Sequence, residues 1–144
     1  MKIRTALAGL GRIAWEFHLP ELARHPAFSL EAVADPLPER VADTRERFRV
    51  PRGYRSVAEL LNAETPELVV IASPTCCHKE QILQAFDAGC DVFCDKPLAL
   101  SAAEVREIAA AARNRNRKIM TAGSGRATSG GMTGRRSAPT AAEC

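Results

Sequence analysis

The stretch Ile3 to Ala14, IRTALAGLGRIA, narrows the choice of fold more than any other part of the chain. Its first half is a short apolar run of strand character. Its second half, Gly9-Leu10-Gly11-Arg12-Ile13-Ala14, is a glycine-rich turn that opens a helix. Gly9 lets the chain leave the strand in a tight turn that a side chain would oppose. Gly11, without a Cβ, leaves the backbone open to close approach. Ala14 stands where a third glycine often sits, and its small side chain lets the helix pack closely on the strand. Glycine turns are common, so the rest of the chain has to decide what this one is for.

Short apolar runs alternate with helical patterns from there on. Pro20 and Pro26 confine a first helical region to about residues 12–25, with a break near His18-Leu19-Pro20. FSLEAVA, residues 28–34, reads as a second strand ended by Asp35-Pro36. Pro38 to Phe48 is helical and strongly charged, with Val41, Ala42 and Phe48 as its buried side. A short extended piece near Gly53-Tyr54-Arg55 precedes Ser56-Val57-Ala58-Glu59, a capping box that announces a helix. LVVIA, residues 68–72, is a continuously apolar strand, as expected where both faces of a sheet are covered. After the loop Ser73-Pro74-Thr75, a helix from about Lys79 to Ala88 turns Ile82 and Phe86 inward and stops at Gly89. DVFC, residues 91–94, is a strand ending in Asp95-Lys96-Pro97. Ser101-Ala102-Ala103-Glu104 repeats the capping box, and Val105, Ile108, Ala109 and Ala112 form a helical stripe before a last short strand at Lys118-Ile119-Met120.

Strands that alternate with helices call for a parallel sheet with right-handed crossovers. The fold class is therefore α/β, a doubly wound parallel sheet (Rossmann fold), formed by a single domain over residues 1–122. From Thr121 onward, TAGSGRATSGGMTGRRSAPTAAEC contains no Leu, Ile, Val or aromatic residue. Such a segment buries too little apolar area to offset its ordering entropy, so residues 123–144 are expected to be a disordered tail.

Composition removes several function classes. Three of the 20 basic residues and one of the 17 acidic residues lie beyond Met120, which leaves residues 1–120 with 17 against 16. That balance does not describe a nucleic-acid surface, and three arginines spread through the tail are too sparse for a nucleic-acid arm. No apolar run approaches the roughly 20 residues of a membrane span. Five cysteines, an odd number unevenly spaced, fit the reduced thiols of a cytoplasmic protein. Cys76, Cys77 and His78 with Cys90 and Cys94 suggest a metal, but the strand assignments put the two groups at opposite strand ends, where ligands would not converge.

In an open parallel sheet, ligands bind beyond the carboxyl ends of the strands. Four segments fall on that edge: the turn Gly9 to Ala14, Asp35, Ser73 to His78, and Asp95-Lys96-Pro97. Gly9, Leu10, Gly11, Arg12 and Ile13 are expected to present backbone N–H groups and a helix N-terminus to a dinucleotide pyrophosphate. Asp35 is suited to both hydroxyls of an adenosine ribose. It would repel a 2′-phosphate, which favours NAD over NADP, although Arg40 nearby pulls the other way. Ser73 and Pro74 would border the nicotinamide ribose. His78 opens the following helix, where a histidine is more often a solvated surface residue than a site residue. An ammonium at Lys96, close to a substrate hydroxyl, would orient it and favour loss of its proton as hydride leaves the carbon.

Taken together, Gly9-x-Gly11-x-x-Ala14, His18-Leu19-Pro20, Ala34-Asp35-Pro36, Ala72-Ser73-Pro74 with His78, Ala88-Gly89 and Asp95-Lys96-Pro97 resemble the Gfo/Idh/MocA family of oxidoreductases, over about residues 1–122. The last motif usually reads Glu-Lys-Pro there, so Asp95 shortens the carboxylate by one methylene. The resemblance implies NAD or NADP as cofactor, with Asp95 and Lys96 beside it and Lys96 in catalysis. It implies a sugar, polyol or related small hydroxy or keto compound as substrate. It also implies a second α/β domain holding most substrate contacts, in whose place this chain has its tail, expected to be out-of-frame or truncated sequence. Holding reacting groups in register supplies about 7–11 kcal/mol of a barrier, so little or no turnover is expected of the polypeptide alone. The competing expectation is a non-enzymatic dinucleotide-binding module, a sensor or partner subunit.

Overall fold

The computed structural model describes residues 1–121. The expected disordered tail, 123–144, lies outside the described residues. Six strands alternate with helices in chain order. β1 (Ile3–Ala8) leads through the glycine turn into a π-helical turn, Ala14–His18, that continues as α1 (Leu19–Arg24). β2 (Phe28–Ala34), α2 (Pro38–Phe48), β3 (Arg52–Tyr54) and α3 (Val57–Ala63) follow, then β4 (Leu68–Ile71), α4 (Thr75–Asp87), β5 (Asp91–Cys94), α5 (Ala102–Arg115) and β6 (Ile119–Thr121). All five strand pairings are parallel, and the order across the sheet is β3-β2-β1-β4-β5-β6. The chain winds outward from β1 in one direction, then returns to β4 and winds outward in the other. The doubly wound expectation holds.

The side-chain alternation of each inner strand shows why those runs are apolar throughout. Leu7, Val33 and Val70 point to one face, where they pack with Ala14, Leu19 and Leu22 of the first helical segment. Val69, Ile71, Val92 and Cys94 point to the other and meet Ile82, Ala85 and Phe86 of α4 and Ile108 of α5. Ala6, Ala32 and Ala34 share that second face with Leu60 of α3, and their small side chains bring α3 close to the sheet. Two buried faces favour apolar residues along the inner strands, and the buried polar residue of β1, Thr5, is satisfied by donating its hydroxyl to the Ile3 carbonyl at 3.0 Å.

Helix ends follow from local chemistry. The Ser56 hydroxyl accepts from the Glu59 N–H at 3.1 Å, and Ser101 accepts from Glu104 at 3.2 Å, as the two capping boxes predict. Gly89 takes φ +81° just after α4, the conformation expected of it. The break at His18-Leu19-Pro20 takes the form of the π-helical turn. Pro20 has no N–H for the usual ladder bond, and the wider turn, in which the Leu19 N–H reaches the Ala14 carbonyl, absorbs the defect.

Three local expectations need correction. Ala42 is exposed and Thr44 is buried on α2, because positions 41, 44 and 48 share one helical face and position 42 lies about 100° away from it. α4 begins at Thr75 rather than near Lys79, since Pro74 fits just before a first turn whose N–H groups have no ladder partner anyway. Of the cysteines expected to be reduced, Cys77, Cys90 and Cys94 are free thiols and Cys76 is not. Among the described residues no helix is long and apolar enough to cross a membrane.

Candidate functional site

Backbone hydrogen bonds continue past the carboxyl ends of the strands and fix the loops that leave them. Gly9 donates to Ala34 at 2.9 Å, Asp35 to Tyr54 at 3.1 Å, Ala72 to Ala8 at 2.8 Å and Asp95 to Ile71 at 3.0 Å. The four candidate segments therefore emerge side by side from one edge of the sheet, each held by the strand next to it. β1 sits between β2 and β4, so the chain's reversal of direction opens a crevice at the end of β1.

A cleft of about 700 Å³ occupies that crevice. Its lining includes Gly9, Asp35, Ser73 and Pro74, together with Arg40 and Arg55. Gly9 has φ +89°, and a Cβ there would lie 2.4 Å from the Ser73 nitrogen, so both conformation and contact require glycine. Gly11 differs. A Cβ at Gly11 would meet nothing nearer than the Arg40 guanidinium at 3.9 Å, so the fold itself does not need a glycine there. The open face at Gly11 suits a bound group that approaches the backbone.

Asp35 is buried, and its carboxylate is the anchor of the glycine turn. Oδ2 accepts from the Leu10 N–H at 2.9 Å, and Oδ1 accepts from the Leu37 N–H at 2.9 Å. The Arg40 guanidinium lies 3.7 Å from Oδ2 and half in solvent. A carboxylate has about four lone-pair positions, so these bonds leave capacity for ribose hydroxyls. Leu10 is buried beneath the turn, while Arg12 and Ile13 are exposed at the start of the helix. Arg12 is turned along the helix to Glu16, 2.7 Å away.

Lys96 is exposed on the turn after β5, with a cis bond to Pro97. Neither Lys96 nor Asp95 lines the cleft; they lie two strands along from Gly9 on the same edge. His18, from the helical segment that follows the glycine turn, reaches across to Asp95 with Nε2 at 2.7 Å from Oδ1. His78 is buried rather than solvated, which corrects the usual expectation for a first-turn histidine. Its Nε2 lies 2.7 Å from the Ser73 carbonyl and its Nδ1 lies 3.0 Å from the Pro97 carbonyl. A neutral ring donates to one of these oxygens and an imidazolium to both. His78 thus ties the loop after β4 to the loop after β5, because two carbonyls close over its ring.

The nearby Cys94 thiol is buried. Burial pushes Cys94 up to about 12, and the Asp95 charge adds to that effect. Among the described residues no group of three His, Cys, Asp or Glu side chains is placed to hold a metal ion. Arg55 and Ser56 line the cleft and were not singled out for it in the sequence. The capping box that located Ser56 gives its place in α3 and says nothing of β3 pairing with β2, which brings it to the edge.

Comparison with known proteins places this architecture. The profile of the Gfo/Idh/MocA oxidoreductase family, NAD-binding Rossmann fold, matches residues 3–123. Trans-1,2-dihydrobenzene-1,2-diol dehydrogenase of Mus musculus is 32% identical over 124 residues, 85% of this chain and 37% of that protein. A 3-ketoreductase from Actinomadura kijaniata, solved with NADP and TDP-benzene, aligns with TM-score 0.80 and 29% identity, covering 85% of this chain and 37% of that one. The WlbA dehydrogenase from Chromobactrium violaceum, solved with NADH and UDP-GlcNAcA, aligns with TM-score 0.79 and 30% identity, covering 83% and 34%. The chain spans about a third of the length of the relatives it matches. On the profile match, the sheet order and the glycine turn together, the chain belongs to the Gfo/Idh/MocA oxidoreductase family.

Proposed function

We propose that this chain is the nucleotide-binding part of an NAD-dependent dehydrogenase acting on a hydroxyl or carbonyl of a sugar, polyol or related small molecule. The observation that carries the reading is the cleft at the end of β1, with Asp35 in its lining and the open backbone of Gly11 beside it. The Gly9 and Leu10 N–H groups, expected to face the pyrophosphate, are instead taken by Ala34 and Asp35; those of Gly11, Arg12 and Ile13 would receive it, since a helix start favours an anion. Asp35 would hold the adenosine ribose, and Ser73 and Pro74 would border the second ribose. When bound, NAD supplies the hydride acceptor. Lys96 would hold a substrate hydroxyl by its ammonium and ease removal of the hydroxyl proton.

NAD is the favoured cofactor because a 2′-phosphate beside Asp35 sets like charges together, at a cost of several kcal/mol. Arg40 and Arg55 favour the second reading, NADP, since both cations border the same cleft. Titrating both dinucleotides separates the readings. NAD tighter than NADP by about tenfold or more is expected, and the reverse order would overturn the Asp35 assignment.

The relatives are dehydrogenases and a reductase by name. Turnover of a polyol by the 144-residue chain alone is expected to be negligible, because the described residues form the cofactor side of such a site. Rapid reduction of NAD with a polyol by the purified chain would refute that expectation. A supplied substrate domain that restores a rate abolished in Lys96→Ala would favour the dehydrogenase over a non-enzymatic binding module.

A further inference from the structure

Three bonds converge on the turn that carries Lys96, and two of them come from histidines on separate elements. The Asp95 N–H is held by the Ile71 carbonyl at 3.0 Å. The Asp95 carboxylate is held by His18 Nε2 at 2.7 Å, and the Pro97 carbonyl faces His78 Nδ1 at 3.0 Å. Lys96 is the residue between the two side-chain contacts. His18 and Asp95 are both largely buried, their side chains 15% and 17% exposed, so solvent screens this pair far less than it does the surface ion pairs. The His18 ring is set by an edge contact with Phe93, two residues before Asp95 on β5, at 5.9 Å and 75°. His18 is also the last residue of the π-helical turn that accommodates Pro20, so its direction follows from that irregular backbone rather than from a regular helix.

We propose that His18 and Asp95 are a positioning pair, which fixes Lys96 at the carboxyl edge of the sheet by locking the residue before it. The inference rests on the reading of Lys96 given above and assigns the Asp95 carboxylate to His18 in place of a direct contact with cofactor. A short hydrogen bond to a carboxylate is among the stronger ones a side chain makes, and Asp has one fewer rotatable bond than Glu with which to lose it.

The geometry names the atom that matters. Gln at position 18 places an amide N–H near the location of Nε2, whereas Asn places one near Nδ1 and falls short of Asp95. Trace acetylation of the full chain, mapped by mass spectrometry, gives the rate at Lys96 relative to the exposed Lys2 and Lys118. His18→Ala is expected to raise the relative Lys96 rate by about threefold or more, as loss of one charge-assisted hydrogen bond allows. His18→Gln is expected to stay close to wild type and His18→Asn to behave like His18→Ala. Asp95→Ala removes the same bond from its other end and is read in the same way if His18→Ala does not fold. An unchanged Lys96 rate in the variants that lack the bond overturns the proposal, and so does equal rescue by Asn and Gln. NADH binding is measured on the same preparations. Absence of binding to wild type counts against the cofactor seat, whereas the Lys96 rates decide the positioning pair by themselves.

Discussion

Gly9 and Gly11 stand two residues apart in one turn and have opposite reasons to be glycine. At Gly9 a side chain would meet the backbone of Ser73 while forced into a left-handed conformation. Gly9→Ala is therefore expected to destabilise the fold by about 2–4 kcal/mol, read as a fall in the denaturant midpoint. Gly11→Ala meets only the end of a flexible arginine and is expected to change stability by less than about 0.5 kcal/mol. Equal losses at the two positions would show that Gly11 serves the fold and not a ligand. The sequence already assigns the two glycines different jobs, a tight turn and an open approach, but not the clash that Gly9 avoids, which depends on Ser73, a residue some sixty positions away. The same limit applied to His78. Its burial comes from the Pro97 carbonyl across two elements, and nothing in the local pattern of Thr75 to Lys79 signals it.

At the scale of elements, the legible boundaries were those with chemical punctuation. β2, α2 and β5 begin and end where expected because Asp35-Pro36, Pro38, Gly89 and Asp95-Lys96-Pro97 bracket them. The start of α4 was not legible, since Cys76 and Cys77 interrupt the apolar and polar contrast that periodicity needs. The edge strand β3 shows how a short element is held. Tyr54 donates to Glu64 Oε1 at 2.6 Å, and Arg52 also pairs with Glu64, tying β3 to the end of α3. Burial alone would raise the Glu64 carboxyl, but the hydrogen bonds from Tyr54 and Arg52 outweigh it and hold the group below its ordinary value. A carboxyl lowered by folding adds stability above its unfolded value of 4.5 and loses it as pH falls through the folded value. The difference in melting temperature between wild type and Glu64→Gln is thus expected to be widest near neutrality and to close below about pH 4. A gap that stays constant between neutrality and about pH 3 would contradict this origin.

For the molecule as a whole, the order β3-β2-β1-β4-β5-β6 puts every candidate segment on one edge, and the reversal at β1 opens the cleft between them. That much follows from strand alternation and a single glycine turn. The division of the edge does not: Gly9, Asp35 and Ser73 share the cleft, while Lys96 lies beyond it, next to the Asp95 that His18 holds. The central claim is that the cleft and the open backbone at Gly11 seat a dinucleotide. Calorimetric titration of NAD into the full chain and into Gly11→Val tests it most directly. Saturable binding to wild type, lost in Gly11→Val with the melting temperature unchanged, is the expected result; no binding to wild type, or undiminished binding to Gly11→Val, would contradict it.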